Sequence, residues 1–480
     1  MSPDCESTPL LAASPSEPPA PKRSTLSHVL SRVTVEPALL LHAFAKAVDQ
    51  GLLENLTVDK LCSVHFSFDA ETCRNLDAGN HTAEQDQVQR LASAYNTYIH
   101  WAEYLPALVT SFLLGCLGDA RGRRLPVIIT FVGSLLTGLC FLANVYWWWL
   151  PTPLLYLSMV PVGVAGGYIG VFTTTNAYLS AMTKVRSRTI SLSIVEWVKY
   201  SAYPLGMFLA SVLYARGGYV LVYCFFVLAI LIAILYLLFC VGEPPTTSSE
   251  DTAQRPFVGV GVKGGVKVRL QKTLSVPGML RRSGRPGVLV AAHTAVVVLW
   301  SVTRGTKTQF FLYDRKVFGW EYQQFNAWLI YDYVMKATGI LLVMPTFSYY
   351  RRVQDTMLGF VGGVSMLFFY TILGTAPVAW VLYLASAFSL CSTIPVIASR
   401  ATISKNVAPT DLGAVFALLA VLECGVELVA PPLYTLIYTQ TLDIFPGTLF
   451  LVMAGVSVVI CCVYVWLLTY YEEPRGSSTN

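Results

Sequence analysis

The chain has 480 residues, of which 54% are hydrophobic and only 13% charged, with a formal net charge of +5. A water-facing globular surface needs about a quarter of its residues charged, so a soluble globular protein is excluded and no nucleic-acid partner is expected. Apolar windows of about 20 residues recur from Val35 to Tyr470, each long enough for a helix to cross a bilayer core of about 30 Å, and nothing alternates in the short segments of a membrane β-barrel.

Residues 1–33 are polar and rich in Pro and Ser, and they lack an apolar stretch of signal-peptide length, so they read as a disordered cytosolic tail. Within them, Glu6 stands four residues before the pair Leu10-Leu11, a spacing that resembles an adaptor-read endosomal and lysosomal sorting signal. Clathrin-adaptor binding and chance occurrence are both open there. The first span is predicted at 34–55 and holds three ionisable side chains, His42, Lys46 and Asp49. The loop 56–96 follows; it is acidic and contains the acceptor pattern Asn80-His81-Thr82, so Asn80 is the expected glycosylation site. Cys62 and Cys73 lie in the same loop and are expected to pair, since no other loop of that face offers a thiol.

Spans 2 to 6 are predicted at 97–118, 125–147, 154–180, 190–214 and 218–241, completing a half that runs over 34–242. Trp147, Trp148 and Trp149 stand at a boundary and suit interfacial anchoring. Residues 243–286 form a Gly-rich, Ser-rich, basic segment, which suits a cytosolic linker lying against anionic lipid. Spans 7 to 12 follow at 287–312, 323–347, 355–376, 378–400, 413–438 and 446–470, with a tail at 471–480. The basic loops after even-numbered spans carry Arg121, Arg123 and Arg124, then Lys184, Arg186 and Arg188, then Arg351 and Arg352, then Arg400 and Lys405. They share one face with the basic linker, and the positive-inside rule makes that face, with both termini, cytosolic.

Between spans 2 and 3 the chain reads Gly115-Cys116-Leu117-Gly118-Asp119-Ala120-Arg121-Gly122-Arg123-Arg124. It resembles the loop signature G-x-L-x-D-x-x-G-R-R of the major facilitator superfamily at every fixed position, which implies an all-α membrane protein of twelve helices in two six-helix halves. Gly115 permits close helix approach and Gly122 a tight reversal, while Asp119, Arg123 and Arg124 are expected to form a gate that locks one face and opens in turn. A narrower resemblance, to the proton-coupled folate transporter family (solute carrier family 46), rests on several short motifs. They are Val35-Glu36-Pro37, the run from Arg186 to Thr189 followed by Val195-Glu196, Gly242-Glu243, Leu312-Tyr313-Asp314, and Pro395-Val396-Ile397 with Arg400 and Ser404-Lys405. It implies that Glu196 is the proton-coupling glutamate and that Arg400 handles proton and substrate. Three positions depart from the folate transporter: its span 7 histidine falls on Thr303 or Arg304, a span 4 acidic residue on Gly167, and a bridging cysteine on Gly319. These departures point to a divergent member of the family, for which the resemblance implies a small anionic organic solute resembling folate, a muropeptide or a cyclic dinucleotide.

An ionisable group at the centre of a membrane helix costs about 2.5 to 3.5 kcal/mol on insertion scales, so the buried charges need partners or a purpose. Glu196 either pairs with Lys199 three residues on or gains and loses a proton. Arg304 and Lys307 are either anion-binding groups or charges at the end of span 7. Glu423 and Glu427 are either coupling carboxylates or partners of a base such as Lys336. Tyr168, Tyr200, Tyr203 and Tyr331 are available to stack on a planar solute. No His-Glu-x-x-His, no G-x-S-x-G and no clustered histidines occur, so neither enzyme activity, nor a metal, nor a cofactor is expected. Proton-linked import, uncoupled facilitated diffusion, and a receptor or scaffold without transport are the three function classes left open. The plasma membrane and an endosomal or lysosomal membrane both fit.

Overall fold

The computed structural model describes residues 34–74, 82–184, 187–243, 278, 284–304, 307–320, 322–408, 411–441 and 444–470. Glu6, Leu10, Leu11, Asn80, most of the linker and the last ten residues lie outside them. The chain divides into a unit of Met1–Thr34 and a unit of Val35–Asn480. Within the second, the described residues are helical and contain no strand.

The helices are α1 (Glu36–Lys60), α2 (Thr82–Arg121), α3 (Arg124–Tyr146), α4 (Gly167–Met182), α5 (Arg188–Phe239), α6 (Arg285–Val302), α7 (Lys307–Phe318), α8 (Tyr322–Val343), α9 (Asp355–Gly374), α10 (Trp380–Phe388), α11 (Ile394–Asn406), α12 (Leu412–Thr441) and α13 (Thr448–Tyr470). Pro37 occupies the first turn of α1, where a missing N–H costs nothing, and Pro395 does the same for α11. Among the described residues nine helical segments are long and apolar enough to cross a membrane.

Several elements differ from the predicted spans. The expected spans 5 and 6 are the two parts of the 52-residue α5, separated where Gly217 and Gly218 leave helical geometry. Gly218 has φ 59° and ψ −158°, a conformation that a residue with a Cβ resists. The expected span 4 starts as two short helices, Leu154–Leu157 and Val160–Val164, and becomes continuous only after the left-handed Gly166 and Gly167. The expected span 7 is interrupted after Val302 and resumes as α7, and the expected span 10 passes through a short 3₁₀ turn, Ser389–Cys391, between α10 and α11. Helix α2 extends well past its predicted start into the loop, where Leu61, Cys62, Val88 and Tyr95 build a small apolar core. Cys62 and Cys73 are disulfide-bonded in that loop.

Two large apolar cores are present. One is drawn from residues between Val35 and Val241, the other from residues between Val296 and Leu467, with Tyr200 as the one member contributed by α5. Large apolar side chains such as Phe208, Leu228, Leu341, Leu436 and Val459 face outward, which is costly in water and favourable against lipid. Helices α2 and α12 approach closely: a Cβ on Gly115 would lie 2.3 Å from the Ala417 Cβ and 2.9 Å from the Gly413 carbonyl oxygen. Small residues let membrane helices make such contacts when no hydrophobic drive pulls them together.

Candidate functional site

A cluster of ionisable side chains lies between the two cores. Its centre is Arg400, in the first turns of α11, where the surrounding positions Val396, Ile397, Ala398, Ala401 and Ile403 are all buried. A guanidinium there survives only with full hydrogen bonding. Arg400 Nη1 donates to Glu196 Oε1 of α5 at 2.9 Å, and Nη2 donates to Glu423 Oε1 and Oε2 of α12 at 2.7 and 3.0 Å. Glu196, Glu423 and Arg400 are 2%, 0% and 6% exposed. The planar fork suits this double contact in a way an ammonium does not.

Around this centre the charges alternate. Lys199 pairs with Glu196 one helical turn away, and its ammonium lies over Tyr200, Phe172 and Trp300 at 4.9, 5.4 and 5.7 Å from their ring centres. Ser301 of α6 donates to Glu423 Oε1 at 3.1 Å. Arg304, just beyond the α6 end, pairs with Glu427 at 3.2 Å and reaches Glu423 at 3.9 Å, with Trp300 stacked 5.1 Å beneath it. Its Nε is buried and has no hydrogen-bond partner among the described residues. Tyr203 of α5 stacks on Tyr333 of α8 at 4.0 Å, and Tyr200 lies 5.4 Å from Tyr333. Three carboxylates, Glu196, Glu423 and Glu427, thus face three bases, Lys199, Arg304 and Arg400, among aromatic rings.

The structure therefore brings together Glu196, Arg304, Arg400, Glu423 and Glu427 from four different helical segments. Lys336 is not the base that serves Glu423 and Glu427: it pairs with Asp332 at 2.6 Å on its own helix, and Ser389 donates to the other Asp332 oxygen at 2.8 Å. The bases of the two glutamates are Arg400 and Arg304, because α6, α11 and α12 converge where α8 does not. Lys307 begins α7, and its side chain lies outside the described residues. At Gly167, whose backbone is left-handed at φ +66°, a Cβ would stand 3.7 Å from Glu103 Oε1. A carboxylate of α2 thus occupies the space beside that glycine. Sequence reasoning passed over Glu103; the signal available was a lone acid inside an apolar window.

At the basic face the signature loop is folded into the N-terminal half. Arg123 donates to the Ala177 carbonyl at 3.1 Å, and Arg124 donates to the Leu237 carbonyl at 2.8 Å through Nη2. Gly122 is left-handed at φ +96°, and the Glu243 carboxylate packs where a Cβ would go. The Asp119 side chain lies outside the described residues. Besides the Gly115 approach to α12, polar contacts between the halves at this face among the described residues include Arg188 donating to the Ser404 carbonyl, Thr189 donating to Asp355 at 3.2 Å, and Lys405 donating to Thr189 at 2.7 Å while pairing with Asp355.

Residues 91–431 match the Major Facilitator Superfamily. The lysosomal proton-coupled steroid conjugate and bile acid symporter of Mus musculus is 24% identical over 471 residues, spanning 93% of this chain and 99% of that protein. A probable peptidoglycan muropeptide transporter of Drosophila melanogaster is 23% identical over 489 residues, spanning 95% of this chain and 90% of that one. The human organic anion transporter superposes with a TM-score of 0.68 at 15% identity, over 92% of this chain and 100% of that structure.

Proposed function

The chain belongs to the major facilitator superfamily, as a divergent transporter similar to solute carrier family 46 members and not an enzyme, and from that premise we propose that it is a proton-coupled symporter of an anionic organic solute. The observation that carries this reading is the placement of Arg400 between Glu196 and Glu423, which ties the two halves through one guanidinium. Relatives named as a proton-coupled steroid conjugate and bile acid symporter and as a muropeptide transporter support a solute that is organic and polar in part. The rings of Trp300, Tyr203 and Tyr333 would lie against its apolar or planar portion.

The charge balance gives the coupling logic. With every group ionised the cluster is neutral, so an anion that enters must displace a carboxylate from Arg400 or Arg304. A displaced carboxylate left ionised in a closed cavity adds several kcal/mol of desolvation. Protonation removes that cost. Solute and proton then stabilise the same loaded carrier, and each raises the other's affinity by linkage. Glu196 is the carboxyl proposed to take the proton, with Arg400 and Arg304 holding the anion; Glu423 and Glu427 are the alternates. The basic face is cytosolic in this reading and the loop carrying Asn80 is outside or lumenal, so an acidic compartment supplies the gradient. Asp119, Arg123 and Arg124 with Gly115 and Gly122 form the cytosolic gate, assisted by the clasp of Arg188 and Thr189.

Uptake into proteoliposomes with and without an inward proton gradient, across folates, muropeptides, cyclic dinucleotides and steroid conjugates, tests the assignment. Glu196→Gln, a permanent mimic of the protonated state, is expected to keep solute exchange and lose gradient-driven accumulation. Uphill, pH-dependent uptake retained by Glu196→Gln moves the proton to Glu423 or Glu427. Equal uptake with and without the gradient supports an uncoupled carrier, and no uptake of any anion supports a receptor or scaffold.

A further inference from the structure

A second group of buried ionisable side chains lies wholly within the N-terminal half, apart from the central cluster. A small cavity within this half is lined by His42, Lys46, Asp49, Glu103, Ser134 and Tyr168 together with apolar residues such as Phe226. The partners inside it are unevenly distributed. Lys46 donates to Asp49 at 3.0 Å, and Tyr223 donates to the other Asp49 oxygen at 3.1 Å, so the one ammonium is matched to Asp49. Glu103 is 5% exposed, and among the described residues its carboxylate accepts a single hydrogen bond, from the Tyr168 backbone N–H at 2.9 Å. With histidine neutral, the cavity holds two carboxylates and one ammonium, and the surplus negative charge rests on Glu103.

The same cavity lacks a donor. His42, 3% exposed, meets Ser134 Oγ through Nε2 at 3.0 Å. With the Ser134 hydroxyl proton on the Thr130 carbonyl, 3.2 Å away, His42 Nε2 is the donor of the pair. In that tautomer Nδ1 is an unprotonated lone pair, and among the described residues it has no hydrogen-bond partner. One proton on Glu103 cancels the surplus charge and supplies the missing donor. A hard alkali cation would not serve as well, because imidazole nitrogen is a poor ligand for it and Lys46 already brings a positive charge.

We propose that Glu103 is a second proton-binding carboxyl, with His42 Nδ1 as the acceptor of its O–H either directly or through one water. The charged and titratable groups facing it are Lys46, Asp49 and His42 of α1, Tyr168 of α4, Tyr104 beside it on α2 and Cys424 of α12, with Tyr223 of α5 held on Asp49. Tyr168 joins this site to the central one: its backbone holds Glu103, and its hydroxyl is within electrostatic range of Glu196 and Arg304. Through Tyr168 the proton at Glu103 is linked to the ion pairs proposed above to part on loading, and the number of protons per cycle exceeds what the central cluster alone takes up.

Infrared difference spectroscopy on the purified full chain in lipid nanodiscs, with no solute and no gradient, tests this as pH is lowered from about 8 to about 4, the range that spans carboxyl titration. The wild type is expected to gain a buried protonated-carboxyl C=O band that Glu103→Gln loses and Glu196→Gln keeps. In His42→Leu that band moves to the higher frequency of a carboxyl without an acceptor. A Glu103→Gln spectrum identical to wild type overturns the proposal. Where Glu103→Gln does not fold, a variant combining Glu196→Gln, Glu423→Gln and Glu427→Gln with Asp314→Asn, which also removes the buried carboxyl of α7, decides: a remaining buried-carboxyl band that His42→Leu shifts supports the site, and the absence of such a band overturns it. Since no transport is measured, failure here leaves the symport assignment standing, and loss of gradient-driven uptake leaves this site standing.

Discussion

At the residue scale, Arg400 carries the most consequence. Removing it leaves Glu196 with Lys199 alone and Glu423 with Ser301 and the more distant Arg304, and breaking a buried pair in this way costs about 3–5 kcal/mol, far more than an exposed ion pair is worth. Arg400→Met is therefore expected to lower the unfolding free energy by that order in mixed-micelle denaturation. Adding Glu423→Gln to Arg400→Met should recover part of the loss, because the carboxylate that loses its two shortest ion-pair contacts is then neutral. Strict additivity of the two substitutions would mean that the 2.7 Å contact contributes nothing. The sequence made Glu196, Arg400, Glu423 and Glu427 visible as charges in apolar windows, since insertion cost alone singles them out. Which base served which acid was not legible, because pairing depends on how helices 20 or more residues apart in sequence come together in space.

At the element scale, the close crossing of α2 and α12 depends on the absence of a side chain at Gly115. A methyl group there would overlap the Ala417 Cβ at 2.3 Å and force the helices apart at the basic face. Gly115→Ala is expected to raise alkylation of the buried Cys424 several-fold by mass spectrometry; an unchanged rate would show that the crossing is not part of the closed face. The signature motif announced a small residue at that place, and the partner helix came only with the fold. Helix interruptions were harder to foresee. Gly166-Gly167 and Gly217-Gly218 break helices, yet the equally apolar Gly362-Gly363 continues through α9, because there each missing Cβ makes room for Pro395 or Cys461. A glycine pair has two uses in a membrane helix, and only the packing tells them apart.

At the scale of the whole molecule, pH acts on stability as well as on coupling. Asp314 lies on α7 beyond the predicted span, is fully buried, and among the described residues has no partner for either carboxylate oxygen. Burial pushes its carboxyl up to about 8. In the unfolded chain the same group titrates near the ordinary value of about 3.9. The folded state therefore holds the extra proton between those limits: the contribution is complete below the ordinary value and is lost as pH rises to about 8. Thermal unfolding of the wild type should show higher stability on acidification through that window, and Asp314→Asn should flatten the profile. Parallel profiles for the two proteins would exclude Asp314 as the source.

By itself the sequence determined the solvent, the helical class and the superfamily, because lipid leaves the backbone few choices and the Gly115 to Arg124 motif is specific at six positions. It also pointed to the two cysteines of one loop, Cys62 and Cys73, which the structure bonds. Tertiary structure decided the rest: that Arg400 stands between Glu196 and Glu423, that Lys336 serves Asp332, and that Glu103 and His42 share a cavity lacking one proton's worth of charge and one donor. Charge burial is a property of a residue and its window, legible along the chain, whereas compensation is a property of pairs drawn from separate helices, and those exist only after the helices have packed.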